Sequence, residues 1–71
     1  MIKQEFANHT HAENIRFTGV CVVVGTKEEI WMKDGMWHRL DGPALSSKDF
    51  PNTYWINDKA VSDEDFYNHP L

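Results

Sequence analysis

The hydrophobic pattern of the chain begins late. From Met1 to Asn14 the residues are mostly polar and follow neither a helical nor a strand period, which predicts an irregular N-terminal arm over residues 1–14. From Ile15 the pattern becomes β-like: Ile15 and Phe17 lead into the run Val20-Cys21-Val22-Val23-Val24, which stops at the turn residues Gly25-Thr26. A continuous apolar strand is covered on both faces or leaves one face for an interface, whereas a half-solvated strand alternates. Lys27 to Lys33 does alternate, with Ile30 and Met32 on one face and Glu29 and Trp31 on the other. Asp34-Gly35 then predicts a tight hairpin, because a two-residue type I′ turn needs positive φ at both central positions.

Met36 to Leu40 reads as the returning strand, and Asp41-Gly42-Pro43 bends the chain again at a residue that cannot donate to a ladder. Ala44 to Ser47 reads as a short edge strand and Lys48 to Asn52, with Pro51, as a loop. Thr53 to Asn57 is the final predicted strand, closed by a turn at Asn57-Asp58. Ser62 precedes Asp63-Glu64-Asp65-Phe66, so a hydroxyl caps a short helix near residues 62–68 while three carboxylates sit at its positive end. Val61 and Phe66 occupy the two positions of a hydrophobic staple, and Pro70 ends the helix. The sum is a mainly β chain: a small twisted antiparallel meander of about five strands with a short C-terminal helix, forming a single domain over residues 15–71.

The strands also repeat. Trp31-Met32-Lys33-Asp34 resembles Trp55-Ile56-Asn57-Asp58 at an offset of 24, and Arg16-Phe17-Thr18-Gly19-Val20-Cys21 resembles Arg39-Leu40-Asp41-Gly42-Pro43-Ala44 at an offset of 23. Two degenerate hairpin units in the same order mean that each is too small to bury its own face and leans on the next.

The segment Trp31 to Ala44 resembles the repeat W-x-x-N/D-G-x-x-H-R-x-D-G-P-A of short proteins from tailed bacteriophages, itself similar to MORN repeats. Tyr54 to Lys59, Val61-Ser62 and the acidic helix resemble the way such arrays close. In the first copy Thr18, Val20 and Cys21 stand where the pattern has Asp, Pro and Ala. The resemblance implies a phage protein made in the bacterial cytoplasm, and it assigns Trp31, His38, Arg39, Asp41, Gly42 and Pro43 to the structural motif. It implies no activity, because the repeat is a scaffold with many uses.

Composition narrows the functional classes. At 71 residues only about 60% of the unfolded surface can be buried, so the core is thin. The net charge is −4, with five basic and six acidic residues up to Ala44 and two basic against five acidic after it. No cluster of Lys or Arg offers the basic stripe that phosphate binding requires, so direct nucleic-acid binding is not expected. Cys21 is the single cysteine, which excludes an intrachain disulfide and favours a reducing compartment. Residues 1–20 hold no apolar run of signal-peptide or membrane length, so neither export nor a membrane partner is expected.

Candidate chemistry is sparse. His38, Arg39 and Asp41 place an imidazole, a guanidinium and a carboxylate within four positions, but Arg39 on Asp41 or on turn carbonyls, with His38 on backbone, would serve to fix the bend. His9 and His11, taken with Cys21, His38 or His69, lack the second tight ligand pair of a structural zinc site, so no metal is expected. No nucleophile has an assignable base, which predicts a non-enzymatic chain without a cofactor. Trp37, Trp55, Tyr54 and Tyr67, with Asp63, Glu64 and Asp65, are the candidate partner-binding residues, since exposed aromatics anchor interfaces and at least one of Trp37 and Trp55 is expected to be partly exposed. The expected function is inhibition or redirection of a host bacterial protein in counter-defence or host takeover; the alternative is sequestration of a nucleotide signal between protomers. A homo-oligomer is a further candidate partner, because Val20 to Val24 calls for more cover than a chain this short supplies.

Overall fold

The computed structural model describes residues 1–68, so His69, Pro70 and Leu71, including the helix stop expected at Pro70, lie outside the described residues. In chain order the elements are β1 (Lys3–Phe6), α1 (His9–Asn14), β2 (Gly19–Val23), β3 (Glu29–Lys33), β4 (Met36–Trp37), β5 (Leu45–Ser46), β6 (Tyr54–Ile56), β7 (Lys59–Val61) and α2 (Asp63–Tyr67). The protein is mainly β, with a mixed sheet, a smaller second sheet and a short C-terminal helix.

The mixed sheet runs β1-β2-β3-β4, with β5 also on β3. β3 is its organising strand. One edge pairs antiparallel with β2 (Val20 opposite Trp31, Cys21 opposite Ile30), while the other is shared by two short strands: β4 sits opposite Met32 and Lys33, β5 opposite Glu29 and Ile30. The second sheet, β6–β7, is joined to the first through paired backbone bonds between Leu45 and Thr53 and through Asp58 N–H donating to the Trp37 carbonyl at 2.8 Å.

The turns expected at Asp34-Gly35 and Asn57-Asp58 both form. Asp34 and Gly35 have φ of 51° and 79°, and Asn57 and Asp58 have φ of 49° and 70°, the positive pair that matches the twist of antiparallel strands. Alternation on β3 also holds: Ile30 and Met32 are buried, whereas Glu29 and Trp31 are half-buried on the opposite face. The core joins Phe6, Ala12, Phe17, Cys21, Val23, Ile30 and Met32, with Trp37 and Leu45 packed against it.

The N-terminal expectation is corrected. Residues 1–14 are not an irregular arm: β1 pairs parallel with β2, and α1 follows, capped by the Asn8 side chain, which accepts from His11 N–H at 3.1 Å. This unit contributes Phe6 and Ala12 to the core, so the domain does not begin at residue 15. Its sequence hides it because β1 is an edge strand burying only Phe6 and α1 spans six residues, too few for a helical period to show. The main sheet is therefore mixed rather than purely antiparallel, and the described residues form seven strands in two sheets rather than about five in one meander. Gly19 permits the junction: at φ 144° its Cβ position lies 2.4 Å from the Ile2 carbonyl oxygen, so a side chain there would block β1. Met36 to Leu40 is likewise corrected, since pairing stops at Trp37 where the chain leaves the β3 edge.

Candidate functional site

Two surfaces carry the chemistry singled out above. The first is built by the excursion from His38 to Ala44. Both ends of this loop are held by one residue of β3: His38 N–H donates to the Trp31 carbonyl at 2.9 Å, and Trp31 N–H donates to the Ala44 carbonyl at 2.7 Å. Arg39 fills the loop. Its Nε donates to Asp41 Oδ1 at 2.8 Å, its Nη1 donates to the Pro43 carbonyl at 3.2 Å, and its Cζ lies 3.7 Å from the centre of the Trp31 ring. Gly42 leaves room for this, since a Cβ there would sit 2.9 Å from Arg39 Cζ. The hydrogen bond from Arg39 holds the Asp41 carboxyl below the usual carboxylate range.

His38 reaches away from Asp41. Its Nδ1 accepts from Asn57 N–H at 3.0 Å in the second hairpin turn, and Arg39 N–H donates to the Trp55 carbonyl at 3.1 Å. Burial, with a smaller contribution from the nearby Lys33 ammonium, lowers the imidazole pKa below its ordinary value. His38 and Arg39 thus tie the loop after the first hairpin to the second hairpin by separate bonds, while Asp41 bonds only Arg39 within the loop. The first copy of the repeat lacks the clamp: Arg16 is exposed with φ of 54°, and Thr18 Oγ1 instead accepts from Asp34 N–H at 2.9 Å. A shallow groove of about 330 Å³, lined by Thr18, Trp31, Lys33, His38, Arg39 and Leu40 among others, runs beside the loop.

The aromatic candidates divide between two places. Trp37 and Trp55 meet at 4.8 Å between ring centres, and Trp37 also meets the His9 ring at 5.3 Å. Trp37 Nε1 donates to Glu13 Oε2 at 3.0 Å, the same oxygen that lies 2.7 Å from His9 Nδ1, so α1 is fastened to β4 by Glu13. Trp55 Nε1 donates to Thr53 Oγ1 at 3.0 Å. Both rings are half-buried and their indole donors are occupied.

Tyr54, next to Trp55 on β6, points to the opposite face, as strand alternation demands. There it packs on Phe66 at 4.5 Å between ring centres, and its hydroxyl lies 3.2 Å from that of Tyr67. That hydrogen bond is the main reason the Tyr54 phenol pKa is raised. Ser62 Oγ accepts from Asp65 N–H at 3.1 Å, fixing the first turn of α2 so that Asp63, Glu64 and Asp65 stand exposed beside the ring stack. Tyr67 is 74% exposed. The C-terminal surface is therefore aromatic and acidic, and Trp37 and Trp55 are not part of it.

Glu13, which holds Trp37 in place, escaped the sequence reading because its partner lies 24 residues away, and Phe66 was legible only as a staple position and not as the ring on which Tyr54 packs. Among the described residues no three His, Cys, Asp or Glu side chains converge as a metal site would require, and no helix is long and apolar enough to cross a membrane. No protein-family model, curated protein or solved structure matches the chain.

Proposed function

We propose that the chain is a non-enzymatic, phage-type binding protein that docks on a host bacterial protein through its C-terminal surface. The observation that carries this reading is the placement of exposed Tyr67 on the same short helix as the acidic turn of α2, backed by Tyr54 and Phe66. Large aromatic side chains supply contact area at low entropic cost, and adjacent carboxylates steer the encounter with a basic surface. The partner chemistry that fits is a patch of Lys and Arg around an apolar pocket. The resemblance of Trp31 to Ala44 to the phage repeat supports the biological setting, in the host cytoplasm.

The test is affinity capture from host lysate with the wild-type chain and with two variants, Tyr67→Ala and the triple change Asp63→Asn, Glu64→Gln, Asp65→Asn. A specific protein that is recovered by the wild type, lost with Tyr67→Ala and released by the triple change or by salt supports the proposal. Equal recovery with all three chains overturns it.

One observation favours the second reading, a nucleotide-sequestering protein. The Arg39 guanidinium stacked on Trp31 beside a groove containing Lys33 offers stacking and positive charge to a nucleobase and its phosphate. A melting temperature unchanged across a panel of mononucleotides and cyclic dinucleotides would dispose of it.

A further inference from the structure

β1 is the terminal strand of the mixed sheet, and its outer edge has no partner among the described residues. The direction of its backbone groups is set by β2: the Ile2 carbonyl accepts from Val20 N–H at 2.7 Å and the Phe6 carbonyl from Val24 N–H at 3.0 Å. Strand backbone groups alternate in direction, so the even-numbered residues face β2, and the N–H and C=O groups of Lys3 and Glu5 face outward. Unpaired edge groups of this kind template pairing with another strand.

We infer that this edge pairs antiparallel with the same edge of a second copy, about a two-fold axis at Gln4. The register follows from the sequence Ile2-Lys3-Gln4-Glu5-Phe6. Centred on Gln4, Lys3 of each copy faces Glu5 of the other, and these are the two residues whose backbone groups point outward. Each Lys3/Glu5 pair exchanges both backbone hydrogen bonds and opposes unlike charges, and the two-fold axis supplies the pair twice. A register shifted by two residues loses this match. In the single chain the Lys3 ammonium reaches across β2 to Glu29 on β3 at 3.2 Å, on the same sheet face as Glu5, so in the dimer Glu5 of the second copy offers it a carboxylate from the opposite side. Ile2, 64% exposed in the single chain, comes opposite Phe6 of the second copy, so the same register covers an apolar side chain that the monomer leaves in water. This interface is separate from the Tyr67 surface and does not depend on its role.

Sedimentation equilibrium and disulfide trapping test the inference together. The wild-type chain is expected to be a dimer at micromolar concentration. Glu5→Lys, which sets like charges opposite each other twice, is expected to weaken dimerisation by about tenfold or more, and the double change Lys3→Glu with Glu5→Lys to recover it relative to either single change. At the axis, residue 4 faces its own copy as a non-hydrogen-bonded pair about 4.5 Å apart between Cα atoms, within disulfide reach. Gln4→Cys in a Cys21→Ala background, which removes the neighbouring thiol on β2, is expected to cross-link into a covalent dimer under mild oxidation. Lys3→Cys in the same background is not. A monomer at micromolar concentration, or cross-linking at residue 3 in preference to residue 4, overturns the inference, while folding of each variant is followed by circular dichroism.

Discussion

The two hairpin turns form a natural control for a prediction about Gly35. Both use positive φ at their second position, 79° at Gly35 and 70° at Asp58. Since an Asp is accommodated in one turn, φ alone does not demand glycine in the other. The difference is space: a Cβ at Gly35 would lie 2.6 Å from the Glu13 carbonyl oxygen and 3.0 Å from Arg16 Cα, both backbone atoms at the end of α1. Gly35→Ala therefore carries two costs, about 1 kcal/mol for a left-handed alanine and about 1 to 3 kcal/mol for pushing α1 from the turn. Gly35→Asn isolates the second, because Asn tolerates left-handed backbone at little cost. A domain of this length is stable by about 4 to 10 kcal/mol in all, so either loss is a sizeable fraction. Urea unfolding followed by tryptophan fluorescence reads both variants, and Gly35→Ala is expected to melt lower by about 4 to 8 °C for each kcal/mol lost. If Gly35→Asn lies within about 0.5 kcal/mol of wild type, the packing of α1 on the hairpin turn is refuted.

Three further outcomes are expected. Arg39→Lys removes the flat stack on Trp31 and the bond to Pro43, so a loss of about 1 to 2 kcal/mol in urea unfolding is predicted; an unchanged midpoint would show that the clamp contributes nothing. Burial first, and then the Lys33 charge, hold the His38 pKa below the ordinary 6.5, and its Nδ1 accepts from Asn57 N–H. As pH falls below 6.5 the unfolded chain takes up the proton first, so this contribution to stability is complete above 6.5, declines below it and levels off beneath the folded pKa. A titration of His38 by nuclear magnetic resonance giving a value above 6.5 would contradict this. Cys21 is fully buried and its thiol pKa is raised, first by burial and then by Glu13, so thiol reagents are expected to label it only upon unfolding. Labelling of the native chain at the rate of a free thiol would place Cys21 elsewhere.

Legibility in the sequence followed the range of the interactions. Val20 to Val23, the alternation at Glu29 to Met32, the Asp34-Gly35 and Asn57-Asp58 turns and the Ser62 cap were readable, because strand pleat, turn geometry and capping act over two to four residues, whereas Val24 falls beyond the strand and is exposed. The bonds of Arg39 to Asp41 and Pro43 belong to the same class. The N-terminal unit was not readable, since Lys3-Gln4-Glu5 has the composition of a polar arm and becomes a strand only when β2 supplies its hydrogen bonds. The candidate site was half legible: Tyr54, Tyr67 and the acidic turn are brought together, but Trp37 and Trp55 turn to the face that α1 fastens.

By itself, then, the sequence determined the β-rich class, both tight turns, the C-terminal helix and the residues of the Arg39 clamp. Only the tertiary structure decided that β1 joins the sheet in parallel, that β4 and β5 share one edge of β3, and which aromatics stand together. The physical reason is that local geometry is set by neighbours along the chain. Edge pairing and the division of aromatic rings between faces depend instead on contacts between distant segments, such as Glu13 with Trp37 and Ile2 with Val20.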